Sequence, residues 1–417
     1  MKKKISLLII FLLSIVIPVS AKELEKYNIT EGLDLTNKLN LTSQNILLYN
    51  RDNKLLIYEN NSNEKVQIAS LTKIMTAVIA IENESDLDKK VTLSYETFRG
   101  LEEYAQAGFR IGQEVSYKEL LYGVMLPSGA DAVNGIVINM GGKEEFVEKM
   151  NNKAKELKMS NTHFDNPIGM DSDDNYSTAQ DIKTLLDYAL NNKTFYEIFT
   201  TKEYAIDRLN LVFHSTIDSY SKNTTIDTSK ILGAKSGFTD NAGLCLASLA
   251  KLDGKEYILI NLNADYKNSR ANAIKDASLI YDYFNEKYSY QEIVKEKQVL
   301  HTIKNKFGYS KTYKIKSSEN INKYLSNNIN LEDIVISYKG KEEINYKTKV
   351  GDKLGTVFIT LDNKELTSFD VYLTDKLKYY HPYLYAGIFL AFLLLLLLIL
   401  LKRKKRRKKR RKKRKRK

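Results

Sequence analysis

The sequence predicts an α+β domain, a small all-β domain after it, and one transmembrane helix near the C-terminus. Helix-periodic and strand-like runs alternate up to about residue 287, and short alternating segments separated by Asn, Gly and Lys turns follow from Tyr288. Residues 383–401 then form a run without a charge. The 417 residues, 43% of them hydrophobic, are enough for two domains with their own cores, which we assign to residues 22–287 and 288–376.

The N-terminus is typical of a cleaved secretory signal peptide, which we assign to residues 1–21. Three lysines at residues 2–4 precede an apolar run over residues 5–18, and small residues end the segment at Ala21, where a signal peptidase cleaves. An uncleaved N-terminal anchor is the alternative, but the apolar run is short for a membrane span. The rest of the chain is therefore expected to be exported.

The uncharged run near the C-terminus is predicted to cross a membrane. Its 19 residues make about 28 Å of helix, against a hydrocarbon core of about 30 Å. A buried core helix is the alternative, but the leucine block at residues 393–398 offers no polar face. Sixteen basic residues, 402–417, follow directly and are expected in the cytoplasm by the positive-inside rule, which puts residues 22–382 outside.

The basic tail accounts for the positive charge of the chain. Removing its 16 charges and the three of residues 2–4 from the formal charge of +14 leaves −5 for residues 22–401. The exported body is therefore mildly acidic, and we expect no nucleic-acid partner for it. For the tail, the anionic inner leaflet is the favoured partner because the tail adjoins the span, and nucleic acid is the second candidate.

The cysteine and the histidines indicate neither a disulfide nor a metal site. Cys245 is the single cysteine and lies in the apolar run 244–249, so it reads as a buried residue of a strand. The four histidines show no ligand spacing with one another or with Cys245. No cofactor or metal is expected.

Local patterns predict the elements of both domains. A hairpin is predicted from the β-rich runs 45–49 and 55–58, and two later strands, 244–249 and 257–262, are joined by the turn Asp253-Gly254. Helices are predicted from apolar periodicity and from caps at residues 117–125, 132–140, 144–157, 180–190 and 271–284, besides the one that begins near Ser70. In the second domain, strands are predicted at residues 312–315, 334–338 and 357–361.

Ser70 and Lys73 are three residues apart at the start of an apolar helical run, so their side chains share one face. A serine is a poor nucleophile at neutral pH unless a base removes its proton, and a lysine is that base only while it is uncharged. The pair indicates a nucleophilic site, although a lone Ser-Xaa-Xaa-Lys is a weak signal because such short motifs occur by chance.

Three motifs follow one another in the chain: Ser70-Leu71-Thr72-Lys73, Ser128-Gly129-Ala130 and Lys235-Ser236-Gly237. The ordered set resembles that of the penicilloyl serine transferases, which is Ser-Xaa-Xaa-Lys, Ser-Xaa-Asn and Lys-Thr/Ser-Gly. Within them the chain is most similar to the serine-type D-alanyl-D-alanine carboxypeptidases, the low-molecular-mass penicillin-binding proteins of the peptidase S11 type. The similarity covers about residues 40–375 and includes the flanking segments 166–170, 176–179 and 233–239.

The resemblance implies a β-lactamase/transpeptidase-like fold, in which an antiparallel sheet is flanked by helices and contains both the early hairpin and the strands after Lys235. The implied activity is removal of the terminal D-alanine from peptidoglycan stem pentapeptides through an acyl-enzyme, as part of cell-wall synthesis. β-Lactam antibiotics would acylate the same serine. The second domain would separate the first from the membrane.

The resemblance also implies the catalytic roles. Ser70 would attack the carbonyl between two D-alanines, Lys73 would take its proton, and Ser128 would pass a proton to the leaving amine. The pKa of Lys73, about 10.4 for a free side chain, would then have to be lowered by burial and by a second ammonium at Lys235.

Binding roles follow from the same resemblance. Lys235, Ser236 and Arg270 would bind the carboxylate of the terminal D-alanine, although Arg270 also fits a surface arginine at a helix N-terminus. Gly237 would let the strand approach the substrate without a Cβ in the way. The backbone N–H groups of Ser70 and Phe238 would form the oxyanion hole.

Ala130 departs from the family pattern, which has asparagine at this position. An alanine cannot hydrogen-bond the lysine or the substrate amide, so either Asn134 or water substitutes for it, or the activity is reduced. The alternative for Ser128 and Gly129 is a structural turn into a helix, which Pro127 equally explains.

Two other functions remain as alternatives. A serine β-lactamase needs fast deacylation, and no glutamate in a Glu-Xaa-Xaa-Leu-Asn segment occurs between Ser128 and Lys235. A non-catalytic peptidoglycan-binding or scaffold relative would have kept the fold and lost the activity, with Ala130 as the trace of that loss.

Overall fold

The computed structural model describes residues 24–380 and 382–414. The predicted signal peptide, residues 1–21, lies outside the described residues. The chain forms two compact units. The larger unit comprises Ile29–Ser289 and Tyr324–Asn328, and the smaller unit comprises the described residues of the rest of the chain.

The helices of the larger unit are labelled in chain order. They are α1 Leu35–Leu39, α2 Thr72–Asn83, α3 Tyr117–Met125, α4 Ala130–Ile138, α5 Lys143–Glu156, α6 Ala179–Ala189, α7 Lys193–Thr200, α8 Thr216–Ser221 and α9 Asn272–Lys287.

The strands of the larger unit are labelled in the same way. They are β1 Asn45–Asn50, β2 Leu55–Asn60, β3 Val66–Gln67, β4 Lys90–Thr92, β5 Glu114–Ser116, β6 Tyr176–Ser177, β7 Glu203–Ile206, β8 Leu211–His214, β9 Ile231–Thr239, β10 Gly243–Leu252 and β11 Lys255–Ala264.

A five-stranded sheet in the order β2-β1-β11-β10-β9 forms the centre of the larger unit. Every neighbouring pair in it is antiparallel. The predicted hairpin and the two later strands are therefore confirmed, and they share one sheet as expected. The turn between β10 and β11 uses Asp253 and Gly254, both with positive φ, as a two-residue hairpin turn requires.

The two faces of this sheet are covered by different helices. Alternate residues of β10 and β11, such as Ala247 and Ile260, join the core that α2 to α7 supply. The residues between them face α9, where the Ser248 hydroxyl lies 3.0 Å from the Tyr281 hydroxyl and Asn261 donates to the Ala273 carbonyl. Because both faces are buried, residues 257–260 of β11 form a continuous apolar run instead of an alternating one.

Helix ends follow local sequence signals. Ser116 and Glu119 form a capping box at α3, and the Thr178 hydroxyl accepts the Asp181 N–H at α6. The predicted helices are present: the helix at residues 117–125 has the predicted bounds, and the bounds of the others differ by at most three residues. The elements between residues 191 and 230 were not predicted, because an eight-residue helix and two four-residue strands show too few turns to establish a period.

The smaller unit contains most of β12 to β19. These strands are β12 Tyr288–Val294, β13 Val299–Asn305, β14 Thr312–Lys316, β15 Ile321–Ser326, β16 Val335–Gly340, β17 Glu343–Ile344, β18 Lys353–Leu361 and β19 Lys364–Tyr372.

Two three-stranded sheets, β14-β13-β17 and β16-β18-β19, organise the smaller unit. Their inward residues form its own core, with Ile303, Ile344, Val357 and Ile359 among its buried members. The predicted strands at residues 312–315, 334–338 and 357–361 correspond to β14, β16 and β18. The predicted domain boundaries remain predictions, since the two units exchange short segments of chain.

The last element is the helix α10, Pro382–Arg414. Within the described residues it is the one helix long and apolar enough to cross a membrane, with a mean hydropathy of 3.0 in its apolar window, none of which is buried. An apolar helix with no covering protein fits a membrane anchor. The α+β fold class with a following β domain and one apolar C-terminal helix is therefore confirmed.

Candidate active site

Ser70 lies in a tight helical turn, Ala69–Leu71, that leads directly into α2. Ala69, just before it, has a φ of +47°, a left-handed conformation that is unusual for a residue with a Cβ. One turn later, Lys73 Nζ donates to Ser70 Oγ at 3.0 Å. The predicted helical spacing thus brings the hydroxyl and the amine into direct contact.

Lys73 is almost completely enclosed, with 2% of its surface exposed. Its Nζ also donates to the Ile168 carbonyl at 2.7 Å. Burial lowers the pKa of Lys73 to about 7, while the negative charge of Asp131 acts in the opposite direction. A substantial fraction of this amine is therefore neutral near pH 7, as a base requires.

The loop that supplies the Ile168 carbonyl is held by one side chain. Asn166 Oδ1 accepts the N–H groups of Ile168, Gly169 and Met170 at 3.2, 2.7 and 2.9 Å. Gly169 has a φ of +86°, and a Cβ there would lie 2.0 Å from the Ala69 carbonyl oxygen. Only glycine lets this loop pass so close to the turn that carries Ser70.

Lys235 lies on β9 and is fully buried. Its Nζ donates to Ser128 Oγ at 2.8 Å and to the Ser236 carbonyl at 2.9 Å. Burial, and then the nearby charge of Lys73, hold the pKa of Lys235 well below its usual range. Ser128 is buried and has a φ of +64°, a left-handed conformation that is unusual for a residue with a Cβ.

The strand β9 runs past the Ser70 turn at the edge of the central sheet. A Cβ on Gly237 would lie 2.9 Å from the Ser70 nitrogen, so glycine permits the observed closeness of strand and turn. The adjacent Ser236 donates from its hydroxyl to Thr216 Oγ1 at 2.7 Å. Thr216 begins α8, one of the elements that the sequence did not predict.

Arg270 lies just before α9 and stacks on an aromatic side chain of β9. Its guanidinium carbon is 3.5 Å from the centre of the Phe238 ring, and the Tyr266 ring packs edge-on against Phe238. This cation–π contact fixes the direction of an otherwise exposed arginine.

These residues line one cleft of about 390 Å³. The structure thereby brings together all the predicted site residues. The cleft lining contains Ser70, Lys73, Ser128, Ser236, Gly237, Phe238 and Arg270. Lys235 is buried behind Ser128. Its wall also includes Glu103, Tyr104, Thr216 and Tyr220, which the sequence did not single out. They come from segments without a motif, so no local signal was available for them.

Ala130 is completely buried at the first position of α4, and its N–H donates to the Ala105 carbonyl at 2.7 Å. Among the described residues, the cleft lining does not include it. Asn134, the suggested substitute, donates its amide to the Thr97 carbonyl at 3.1 Å. That side chain is therefore occupied elsewhere, and Asn134 does not replace the missing asparagine.

Asp131 is the functional-site residue that sequence reasoning missed. It is fully buried, and its carboxylate accepts the N–H groups of Ala107, Gly108 and Phe109 at 2.7, 3.0 and 3.1 Å. It thus anchors the segment that carries Tyr104 and Ala105 into the cleft wall, and it is the negative charge that acts on Lys73. Its position directly after the Ser128-Gly129-Ala130 motif was the available signal.

The arrangement is suited to acyl transfer. It combines a hydroxyl in contact with a partly neutral buried amine, a second hydroxyl in contact with a second amine, and a cationic guanidinium at the same cleft. A substrate with an electrophilic carbonyl and a nearby carboxylate matches these groups.

Comparisons with known proteins agree with this chemistry. The family described as D-alanyl-D-alanine carboxypeptidase, peptidase S11, matches residues 34–266, more than half of the chain, which includes every motif residue except Arg270. A curated relative is the D-alanyl-D-alanine carboxypeptidase DacF of Bacillus subtilis. It is 29% identical over 362 residues, which are 82% of this chain and 88% of the relative.

Solved structures share the fold. The D-alanyl-D-alanine carboxypeptidase DacD of Francisella tularensis has a TM-score of 0.63 at 22% identity, with 86% of this chain and 97% of that chain covered. The DD-transpeptidase of Streptomyces K15 has a TM-score of 0.52 at 28% identity, with 58% and 97% covered. The expected β-lactamase/transpeptidase-like fold is confirmed, and this chain belongs to the D-alanyl-D-alanine carboxypeptidase family, peptidase S11.

Proposed function

We propose that this protein is a serine D-Ala-D-Ala carboxypeptidase that removes the terminal D-alanine of peptidoglycan stem peptides through an acyl-enzyme. The observation that carries the proposal is a pair of lysine–serine contacts in one cleft, Lys73 with Ser70 and Lys235 with Ser128. Membership of the family supports the same activity. A non-catalytic scaffold is not favoured, because it would have no use for two buried lysines in contact with serines.

Acylation begins when Ser70 Oγ attacks the carbonyl carbon of the bond between the two D-alanines. Neutral Lys73, 3.0 Å away, accepts the hydroxyl proton. The oxygen of Ser70 therefore carries no positive charge as its bond to the carbonyl carbon forms. The backbone N–H groups of Ser70 and Phe238 stabilise the oxyanion. The closeness of Gly237 to the Ser70 nitrogen supports this role, because it brings the two backbone segments to one point.

Collapse of the tetrahedral species breaks the peptide bond and releases D-alanine. Its amine needs a proton, which Ser128 supplies from its hydroxyl while Lys235, 2.8 Å away, restores the proton to Ser128. Lys73 then passes the proton that it took from Ser70 to the now neutral Lys235, and water hydrolyses the ester on Ser70 with the neutral Lys73 as the base. Each proton taken from Ser70 or from water therefore has an acceptor in the cleft.

Specificity for a free C-terminus follows from the cations around the cleft. Arg270 and the Ser236 hydroxyl are candidates to bind the terminal carboxylate, together with Lys235. A bound carboxylate supplies the negative charge that makes protonated Lys235 favourable in its buried position. Substrate binding would thus place the ammonium on Lys235 and leave Lys73 as the neutral base.

β-Lactams present the same combination of a strained carbonyl and a nearby carboxylate, so we expect them to acylate Ser70. The β-lactamase alternative needs a carboxylate beside the acyl-enzyme to activate water. Among the described residues of the cleft lining, the acidic side chain is Glu103, which is exposed at the wall. This argues for a long-lived adduct.

We further propose that the protein is a single-pass membrane protein whose larger unit faces the outside. The signal-like residues 1–21 and the basic residues 402–417 beyond the apolar run support this orientation. The smaller unit would then separate the larger unit from the membrane, and the basic tail would contact the anionic inner leaflet.

The activity is tested with the full chain in detergent and a synthetic pentapeptide that ends in D-Ala-D-Ala. Release of free D-alanine is measured by an enzyme-coupled assay, with Ser70→Ala as the inactive variant and Ser160→Ala, at an exposed serine, as the control. We expect release by the unmodified protein and the control only. No release, or equal release by the Ser70→Ala variant, would refute the proposed function.

A further inference from the structure

The smaller unit has a second cleft, of about 630 Å³, beside the start of α10. We call it the base cleft, and its principal lining residues are Tyr309, Tyr346, Lys349, Val350, Lys378 and Tyr379. None of them lines the cleft that contains Ser70.

The base cleft is tied closely to the start of α10. Tyr309 N–H donates to the Lys378 carbonyl at 3.0 Å, and Tyr380 N–H donates to the Phe307 carbonyl at 2.6 Å. From Tyr380 to Tyr383, where the uncharged run begins, three residues reach at most about 10 Å. The walls of the base cleft therefore lie within a short distance of the first residue of the span.

The length of the apolar run fixes the depth of the helix in the membrane within a narrow range. Its 19 uncharged residues make about 28 Å of helix against a hydrocarbon core of about 30 Å, and Lys402 follows immediately. Tyr383 is thus held at the outer interface, a depth that tyrosine favours. The Tyr383 ring lies 6.3 Å from the Tyr346 ring of the base cleft, so the cleft is at the level of the headgroups.

The chemistry of the base cleft matches a phospholipid headgroup. Lys349, Lys376 and Lys378 provide three ammonium groups against the single carboxylate of Asp375 in the lining. Apart from Thr348, the remaining lining is apolar or aromatic, with Val350 56% exposed. Cations beside apolar surface suit a phosphodiester whose acyl chains continue into the bilayer.

One polar atom of the base cleft is left without a protein partner. The Tyr379 hydroxyl is buried and has no hydrogen-bond partner among the described residues. An unpaired buried hydroxyl is unfavourable, and a phosphate oxygen in the cleft would accept its hydrogen bond once the Tyr379 ring turned toward it.

We infer that the base cleft binds phospholipid headgroups of the outer leaflet, so that the smaller unit lies against the membrane surface. This inference rests on the proposed span of α10 and is independent of the proposed enzymatic activity. Its consequence is that the smaller unit is held at the bilayer by its own side chains as well as by the helix.

The absence of tryptophan from the chain makes a direct test possible, since one introduced tryptophan is the sole reporter. Val350→Trp places it at the base cleft, and Val335→Trp is the matched control, because Val335 is 58% exposed. Val335 pairs with Thr360, near one end of β18. Lys353, at the other end of that strand, is about 23 Å from Thr360. The Lys353 end of β18 is the end next to the base cleft. Gly351, two residues before Lys353, donates its N–H to the carbonyl of Leu373, which lines that cleft.

Each full-length variant is reconstituted in vesicles of phosphatidylcholine and phosphatidylglycerol that contain a headgroup-nitroxide lipid. We expect strong quenching of the Val350→Trp reporter and little quenching of the Val335→Trp reporter. A third variant, Tyr383→Trp, reports the start of the span. Equal quenching of the two valine variants would overturn the inference.

The span variant separates the two possible failures. Quenching at Tyr383→Trp without quenching at Val350→Trp would show an inserted helix and refute the base cleft as a lipid site. Absence of quenching at Tyr383→Trp would refute the span and with it the inference. D-alanine release by the same preparations reports separately on the proposed activity.

The lipid chemistry is tested by charge reversal. Lys349→Glu, Lys376→Glu and Lys378→Glu, combined with Val350→Trp, should bring the quenching down towards the Val335→Trp level. The same decrease is expected for Val350→Trp when phosphatidylglycerol is omitted. If neither the charge reversals nor the omission of phosphatidylglycerol changes the quenching, the Val350→Trp side chain is near the membrane without headgroup binding. That result would overturn the inference.

Discussion

Lys73 can act as a base only in its neutral form, so its protonation controls acylation. Burial lowers its pKa to about 7, and below that pH the ammonium cannot accept the proton of Ser70. We therefore expect the rate of β-lactam acylation to rise as the pH increases through about 7 and to level off above it. Stopped-flow measurement with a fluorescent penicillin checks this profile, and a rate that is flat or falls with increasing pH would contradict it.

Replacing Lys73 by arginine tests the same requirement without removing the positive charge. A guanidinium stays protonated at every pH that the protein tolerates, so Lys73→Arg should slow acylation by about 10²–10⁴-fold. Lys251→Arg, at an exposed lysine of β10, is the matched control and should leave the rate unchanged. Fast acylation in the Lys73→Arg variant would show that another group is the base.

Asp131 offers a second test at this scale, since its charge opposes the lowering of the pKa of Lys73. Asp131→Asn removes that charge, so the rise of the acylation rate should move to lower pH. The amide also cannot accept all the N–H groups of residues 107–109, and we expect a loss of about 1–3 kcal/mol in the free energy of unfolding. A lower stability with an unchanged pH profile would show that Asp131 is only structural.

The sequence predicted contacts within the site most directly where two reactive residues are close together in the chain. Ser70 and Lys73 are neighbours on one helix turn, so their contact follows from the chain itself. The contact of Ser128 with Lys235, 107 positions apart, was expected only through resemblance to the family. Asp131 was missed because its partners, residues 107–109, belong to a segment with no regular pattern.

At the scale of the elements, the loop of residues 166–170 controls the geometry of the nucleophile. Gly169→Ala would place a Cβ 2.0 Å from the Ala69 carbonyl oxygen, so the Ser70 turn would have to move. We expect a large loss of acylation rate and a lower melting temperature, both measured on the purified protein.

Gly254→Ala is the matched control for this substitution. Gly254 also has a positive φ, of +77°, but no atom lies within 4 Å of a Cβ built there. It should lower stability by only about 1–2 kcal/mol, the backbone strain of a left-handed alanine, and leave acylation intact. Similar losses of acylation in the two variants would contradict a specific role for the loop.

The predictability of the elements depended on their length and burial. The hairpin of β1 and β2 and the helix α3 have clear periods and turn or cap signals, and the structure confirms them. The helix α8 has six residues and carries Thr216 into the cleft, yet a run that short shows no period. Its position depends on packing against β9, which no local pattern encodes.

At the scale of the molecule, the anchor and the enzyme should be separable. Deletion of residues 383–417 removes the apolar run, whose described residues have no protein cover, so we expect a soluble protein that keeps D-alanine release in solution. Circular dichroism and the release assay check folding and activity. A truncated protein that fails to fold would contradict the proposed role of the smaller unit as a separate spacer.

The overall architecture could be predicted in outline only. From near Tyr288 the sequence consists of short alternating segments, which indicated a second domain. The uncharged run at residues 383–401 indicated the anchor. The return of Tyr324–Asn328 to the larger unit could not be foreseen, because it depends on long-range contacts such as that of Tyr324 with Tyr257.

The central claim is that Ser70 forms an acyl-enzyme, and mass spectrometry tests it most directly. The full-length protein is incubated with benzylpenicillin, its intact mass is measured, and the modified residue is identified in a proteolytic digest. We predict one penicilloyl group on the peptide that contains Ser70, and none in the Ser70→Ala variant. An unmodified protein, or an adduct on another residue, would contradict the account.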